Sequence, residues 1–264
     1  MTTNSETYVI AGDTHSNMKH LNWLVSQVAP AAGSTKILQL GDFGYWGERG
    51  DGHMKYLNKI AEENGVEVYF IDGNHEHHPE LRRHTKTDDE GFVIIRDHIR
   101  YIPRGHTWEW HGVKFMGLGG AYSVDKNLRK VGYSWFPEET ITDEEVEYAC
   151  SKGQVDVMLT HDVPMQVDMI PLFGGIEGLR ESNRRWGAEA SILSDKNRAQ
   201  IGKVVDTCKP VQVFHGHMHT RHTQHVFTKD GHQVRVDGLG CDGMLADSWM
   251  PFTTSWSPIK KVET

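Results

Sequence analysis

Cysteine is scarce in this 264-residue chain: Cys150, Cys208 and Cys241 are an odd, widely spaced set without the close pairing of a thiolate metal site or a disulfide framework. That argues against a zinc-stapled binding module and makes a reducing, cytoplasmic setting the default. No apolar run approaches the length of a membrane span, and residues 1–7 are polar, without the regions expected of a secretory leader. Proline-, serine- and glutamine-rich tracts, long like-charge runs and internal repeats are also missing. Nothing therefore reads as a linker, and residues 1–264 are expected to form one domain. Basic charge is not in excess either. A formal net charge of −8 argues against a general nucleic-acid-binding surface. It leaves a small phosphoester substrate open, because bound dications make a centre locally positive whatever the global balance.

Histidine, by contrast, is abundant, with seventeen residues. Five sit in short polar segments that directly follow apolar runs: Asp13-Thr14-His15, Gly41-Asp42, Gly73-Asn74-His75-Glu76, Thr160-His161-Asp162 and Gly216-His217-Met218-His219. The preceding runs, at residues 8–11, 36–40, 66–71, 155–159 and 211–214, read as buried strands. Between the first three lie stretches of helical spacing at 18–29 and 54–64, so right-handed crossovers and parallel pairing are expected. Ligands of an open α/β sheet bind outside the carboxyl ends of its strands. Every motif residue falls there.

After Gly91 the pattern changes to short β runs at 92–96, 113–118, 222–227 and 233–239, with Asp230-Gly231 as a hairpin signal between the last two. A second, mixed sheet is expected. Thr142-Asp143-Glu144-Glu145 has the form of a capping box opening a helix over 142–151, and residues 187–205 read as a further helix.

Carboxylate, imidazole and amide groups gathered at strand ends are what two closely spaced divalent ions require. Asp13 and His15 can reach one ion, Asp42 can lie between two, Asn74 offers an amide oxygen, and His161, His217 and His219 offer imidazole nitrogens. The alternative is that Asp13 and Asp42 are helix caps and Asn74 a turn residue. Those readings do not account for the later histidines. Mixed O/N ligation without thiolate suits Mn²⁺, which is favoured, and also Fe, Zn²⁺ or Ni²⁺.

The five segments, in order, resemble the signature of the calcineurin-like metallophosphoesterases, which runs D-x-H, G-D, G-N-H-[DE], H, G-H-x-H. The resemblance covers residues 13–219. It implies an α/β fold, a four-layer αββα sandwich of two mixed sheets with flanking helices. It also implies hydrolysis of a phosphoester by a hydroxide held between two metal ions. By the same resemblance Asp13, His15, Asp42 and His219 bind one ion, and Asp42, Asn74, His161 and His217 the other. His75 is then not a ligand but a general acid or a stabiliser of the transition state. Glu76, where Asp is commoner, is expected either to orient His75 or to begin the next helix.

Tyr45 and Trp46 stand where the protein Ser/Thr phosphatases of the family carry Asp and a phosphate-binding Arg. That departure argues against a phosphoprotein substrate; the aromatic pair either offers a rim for a nucleotide base or merely covers the loop. Small or cyclic phosphodiesters are accordingly favoured over monoesters. The glycine-rich run from Gly117 and the residues to Glu139 look like a segment of bacterial and phage metallophosphoesterases, without a derivable role. Trp46, Arg129 and Arg184 are candidates for touching substrate beyond the metals.

Overall fold

In the computed structural model of the protein, residues 5–255 are described. Residues 1–4 and 256–264, and with them most of the polar start and both ends of the expected domain, lie outside the described residues. Two six-stranded sheets pack face to face. The first contains β1 (Thr7–Ala11), β2 (Lys36–Gln39), β3 (Glu67–Phe70), β4 (Val93–Arg96) and β5 (Ile99–Tyr101). The second contains β6 (His106–Trp110), β7 (Val113–Leu118), β8 (Val157–Thr160), β9 (Gln212–His215), β10 (His222–Phe227) and β11 (Gln233–Gly238). The chain then returns to the first sheet as β12 (Trp249–Thr253), giving the orders β12-β1-β2-β3-β5-β4 and β10-β11-β9-β8-β7-β6. In each sheet the inner strands run parallel and the outermost pairs antiparallel.

Alternation along the strands builds the layers. Tyr8, Ile10, Leu38, Tyr69 and Ile71 point between the sheets, where they meet Trp108, Phe115, Leu159 and Phe214. Their neighbours Val9, Ala11, Ile37, Val68 and Phe70 point outward, under α1 (Met18–Trp23), α2 (Ala29–Ala31) and α3 (Asp51–Asn64). A short α4 (His78–Leu81) follows β3, and the second sheet is covered by α5 (Asp143–Ser151) and α7 (Ala188–Cys208). The expected αββα sandwich is the observed one. No helix among the described residues is long and apolar enough to cross a membrane.

Several details depart from the sequence expectation. The helix expected over 18–29 is interrupted by a π-helical turn at Leu24–Val28, just ahead of Pro30, which has no N–H to continue the regular ladder. The last long helix begins one residue, Gly187, after a separate α6 (Ile176–Trp186), which lies on the outside with none of its residues buried. Strand β12 contains Pro251, which is tolerated because β12 is an edge strand. The capping box at Thr142 forms as expected.

One buried ion pair ties the sheets together next to the strand ends. Asp72, at the end of β3, accepts from Arg104 Nε at 3.0 Å and Nη2 at 2.6 Å, and from the Tyr101 hydroxyl at 3.0 Å. The same guanidinium donates to Glu145 of α5 and to the carbonyls of Glu138, Glu139 and Thr140. Burial alone would raise the Asp72 carboxyl pKa, but Arg104 holds it below the ordinary carboxylate value. Removing one partner of a buried pair strands the other charge at a cost of about 3–5 kcal/mol. Arg104→Leu is therefore expected to lower the urea unfolding free energy by that order, and Asp72→Asn in the same chain to recover part of the loss. Strictly additive losses in the double variant would show that the pair is not what couples the two sheets.

Candidate metal centre

All seven expected ligands lie in loops that leave the carboxyl ends of parallel strands, and these loops converge. Asp13 and His15 follow β1, Asp42 follows β2, Asn74 follows β3, His161 follows β8, and His217 and His219 follow β9. One group gathers Asp13, His15, Asp42 and His219, with one ligand atom from each within 4.8 Å of all the others. Within it His219 Nε2 is 2.9 Å from Asp13 Oδ2, and His15 Nε2 is 3.4 Å from Asp42 Oδ2. The other Asp42 oxygen, Oδ1, faces the opposite way and lies 3.4 Å from His161 Nε2. That nitrogen is in turn 3.2 Å from Asn74 Oδ1, and the His161 ring sits 5.0 Å from the His217 ring. Asp42 thus has one oxygen in each of two adjoining groups.

The local backbone is bent to make this possible. Four of the seven non-glycine residues with positive φ among the described residues are His15, Asp42, His217 and His219. Such conformations cost of order 1–3 kcal/mol each and persist where surrounding contacts over-determine them. The glycines of the motifs serve close approach. A Cβ on Gly73 would come within 2.2 Å of Asp42 Oδ1, and one on Gly216 within 2.1 Å of Asp13 Oδ1. No other residue type fits at either point without displacing a carboxylate.

Charge explains what the cluster is built to hold. Asp13 and Asp42 are almost completely buried. Burial should raise the Asp42 carboxyl pKa, yet His161, His75 and His15 hold it well below the usual carboxylate range. Burial should likewise favour neutral imidazoles, but Asp42 and Asp13 raise His15 to about 9 and His161 to about 10. Both shifts show that the two carboxylates favour positive charge beside them. The donor set of two carboxylates, one amide oxygen and four imidazoles fits two divalent ions of the Mn²⁺, Fe, Zn²⁺ or Ni²⁺ type, since each proton can be exchanged for metal charge.

The ligand rings are oriented from behind. His161 Nδ1 lies 2.7 Å from the Leu40 carbonyl, which accepts its proton and turns Nε2 toward the centre. His15 Nδ1 is held by Asp242 Oδ1 at 2.8 Å, while Asn17 Nδ2 donates to Asp242 Oδ2 at 2.7 Å. Asp242 carries no local signal in the sequence. Only the return of the chain after β11, where Asp242 N donates to Asp13 O at 2.8 Å, brings it to the site.

Glu76 does neither of the things expected of it. Its buried carboxylate accepts from the backbone N–H groups of Phe43 (2.8 Å), Gly44 (2.9 Å), Tyr45 (2.8 Å) and Gly73 (3.3 Å). It pins the loop that carries Asp42, and helix α4 begins later, at His78. Burial and the nearby Asp42 push its carboxyl up to about 8, against the four donors that favour the charge. Tyr45 is also not at the rim: it is buried, with its hydroxyl 2.7 Å from His84 Nε2. Trp46 is half-buried, and the Arg49 guanidinium lies 5.3 Å above its ring and 4.3 Å above that of Tyr133.

His75 stands just outside the ligand groups. Its backbone N–H donates to Asp42 Oδ1 at 2.7 Å, while its ring nitrogen Nε2 is 3.9 Å from Asp42 Oδ2. Arg129 lies against the imidazole, with Nη1 3.1 Å from Nδ1 and Nη2 2.5 Å from Nε2. A neutral imidazole has one lone pair in its plane, so only one of these contacts is a hydrogen bond. Burial and the arginine's charge hold the His75 pKa below its ordinary value. Asp125 secures Arg129 through Nε at 2.9 Å. Arg184 is elsewhere in role: it lies exposed on α6 and pairs with Glu181 of the same helix at 2.5 Å.

Comparison with known proteins identifies the family. The profile of the family described as calcineurin-like phosphoesterase matches residues 7–221. Among solved structures, a Thermus thermophilus protein is similar at 12% identity and TM-score 0.53, covering 94% of this chain and 99% of that one. A dimetal phosphatase from Danio rerio is similar at 13% identity and TM-score 0.49, covering 89% of this chain and 87% of that one. No curated protein matches the chain.

The Glu76 contacts make a direct prediction. A backbone N–H left unpaired in the interior costs about 1–3 kcal/mol, so Glu76→Gln should lower the unfolding free energy by roughly that much. Chemical denaturation of the metal-free protein above pH 8, where the carboxyl is ionised, measures it. An unchanged midpoint would mean that the carboxylate does not hold the Asp42 loop.

Proposed function

The chain belongs to the calcineurin-like phosphoesterases, and on that premise we propose that this metal-dependent phosphoester hydrolase acts through two metal ions on small phosphodiesters, cyclic nucleotides among them. The observation that carries the two-metal reading is Asp42, whose two oxygens face two separate ligand groups. When bound, a pair of divalent ions supplies a water of lowered pKa as nucleophile and neutralises charge on the phosphoryl oxygens. We assign Asp13, His15, Asp42 and His219 to one ion and Asp42, Asn74, His161 and His217 to the other. Mn²⁺ is the metal we favour.

His75 is placed to serve the leaving group. Its side chain touches no ligand oxygen closely, and its ring stands at the edge of the centre beside a guanidinium. An incoming phosphate anion offers Arg129 a better partner than a neutral imidazole. As Arg129 turns to that anion, the charge that suppresses His75 protonation is compensated, and the ring can hand a proton to the departing oxygen. Preference for diesters rests on charge. Positions 45 and 46 carry no cation, and Arg49 is turned onto two aromatic rings. A single arginine beside the centre matches the one negative charge of a diester better than the two of a monoester. Trp46 and Tyr133 then offer a face for a base.

The shared core between the sheets supports reading the chain as one catalytic domain. Three unpaired thiols support a reducing, cytoplasmic setting. Small phosphoesters are the partners we expect, with no membrane and no general nucleic-acid surface.

Assays of Mn²⁺-reconstituted protein against bis-aryl and mono-aryl phosphates, cyclic nucleotides and plasmid DNA test the reading. Diesters should turn over fastest. A monoester preference would sink the substrate assignment, and plasmid cleavage would make the protein a nuclease. Asp42→Asn should lower metal content toward one ion per chain and remove most activity; two tightly held ions with normal turnover would refute the bridge. His75→Ala should keep both ions and lose on the order of 10²–10⁴ in turnover. That loss should shrink for substrates with acidic phenol leaving groups, which barely need protonation. Equal losses for nitrophenyl and alkyl esters would exclude proton donation.

A further inference from the structure

The glycine-rich run after β7 has a task at the centre. Gly119 lies so close to the end of β3 that a Cβ there would meet Asp72 Oδ1 at 2.3 Å and Asp72 O at 2.4 Å. Gly120 N donates to Asp72 O at 2.8 Å, and Ala121 N to Glu139 O at 3.1 Å. These bonds lay the segment along the loop that holds Asn74. Ser123, 1% exposed, is thereby brought against Asn74, and Glu139, 0% exposed, against Ser123.

The hydrogen bonds among the three have a direction. Glu139 accepts from Ser123 N at 2.8 Å and from Ser123 Oγ at 2.6 Å. Glu139 is the acceptor in both bonds, so the single hydroxyl proton of Ser123 is committed to it. What Ser123 Oγ has left is lone pairs, and Asn74 Nδ2 donates to them at 3.0 Å. The amide nitrogen is thus held away from the centre, and Oδ1 is turned inward, 3.2 Å from His161 Nε2. The two ends of an amide are nearly the same size, so packing cannot choose between them; hydrogen bonding must. The choice matters because an amide oxygen can ligate a cation and an amide NH₂ cannot.

We propose that Ser123 and Glu139 are positioning residues that hold the Asn74 amide with its oxygen toward the second metal ion, which makes the glycine-rich segment part of the metal centre. The inference rests on the two-metal reading above. Outer contacts of this kind typically contribute 10–100-fold in metal affinity.

The test is Mn²⁺ titration calorimetry with ion counting on the full chain, beside thermal melting of the metal-free protein. Wild type should bind two ions. Ser123→Ala should weaken one of the two sites about 10–100-fold, leave the other unchanged, and leave the metal-free melting point near wild type. Glu139→Gln, whose NH₂ would turn the serine proton toward Asn74, should weaken the same site. The deciding variant is Asn74→Asp combined with Ser123→Ala. Both ends of a carboxylate ligate, so no orienting partner is needed, and affinity should return to within a few-fold of wild type. A double variant as weak as Ser123→Ala would overturn the proposal, because the serine would then act by packing. So would a Ser123→Ala chain that binds both ions normally, with the two-metal reading left standing. Fewer than two ions on wild type would remove that reading and this inference together.

Discussion

Two carboxylates, Asp13 and Asp42, are buried side by side, and an interior of low polarity does not tolerate such charge without positive partners. Much of the site follows from that constraint. The fold buries further carboxylates nearby, and each is answered differently. Asp72 has a fixed guanidinium, Glu76 has four backbone N–H groups, and Glu139 has a hydroxyl and an amide. None of those partners can be exchanged for a metal. Asp13 and Asp42 are answered by imidazoles, whose protons can leave and whose nitrogens can then ligate. The difference in partner chemistry separates the centre from its scaffold.

Bringing these groups together needs an architecture with many strand ends in one place. Each sheet supplies inner parallel strands whose carboxyl ends open on the same side. Packing the sheets face to face through Tyr8, Leu38, Phe115 and Phe214 brings β1, β2 and β3 opposite β8 and β9. The Arg104–Asp72 pair holds that approach within two residues of Asn74. The cost is paid locally as left-handed backbone at His15, Asp42, His217 and His219, and as glycines that could not be anything larger.

Much of the fold was legible because alternation and helical spacing are local signals. The parallel strands before the motifs, the hairpin strands β10 and β11 and the Thr142 cap all stand where residue pattern placed them. Other elements were harder to read. β12 contains Pro251, and only its edge position, a fact of assembly, makes that harmless. The π-helical turn at Leu24–Val28 depends on how the helix accommodates Pro30 while keeping Leu24, Val25 and Val28 in the core. Tyr45 could be read as rim or as loop cover and is core, because the Glu76 carboxylate pulls its loop inward.

The types of the metal-binding residues, and their order after apolar runs, were determined by the sequence alone, because ligand chemistry belongs to side chains and strand ends are punctuated locally. Tertiary structure decided which oxygen or nitrogen of each residue faces inward. Asp242 orients His15 across 227 positions of chain, and Ser123 orients the Asn74 amide across 49. No spacing announces such pairs. They exist because hydrogen bonds act over about 3 Å, and proximity on that scale, between segments so distant in the chain, is created only by packing the two sheets together.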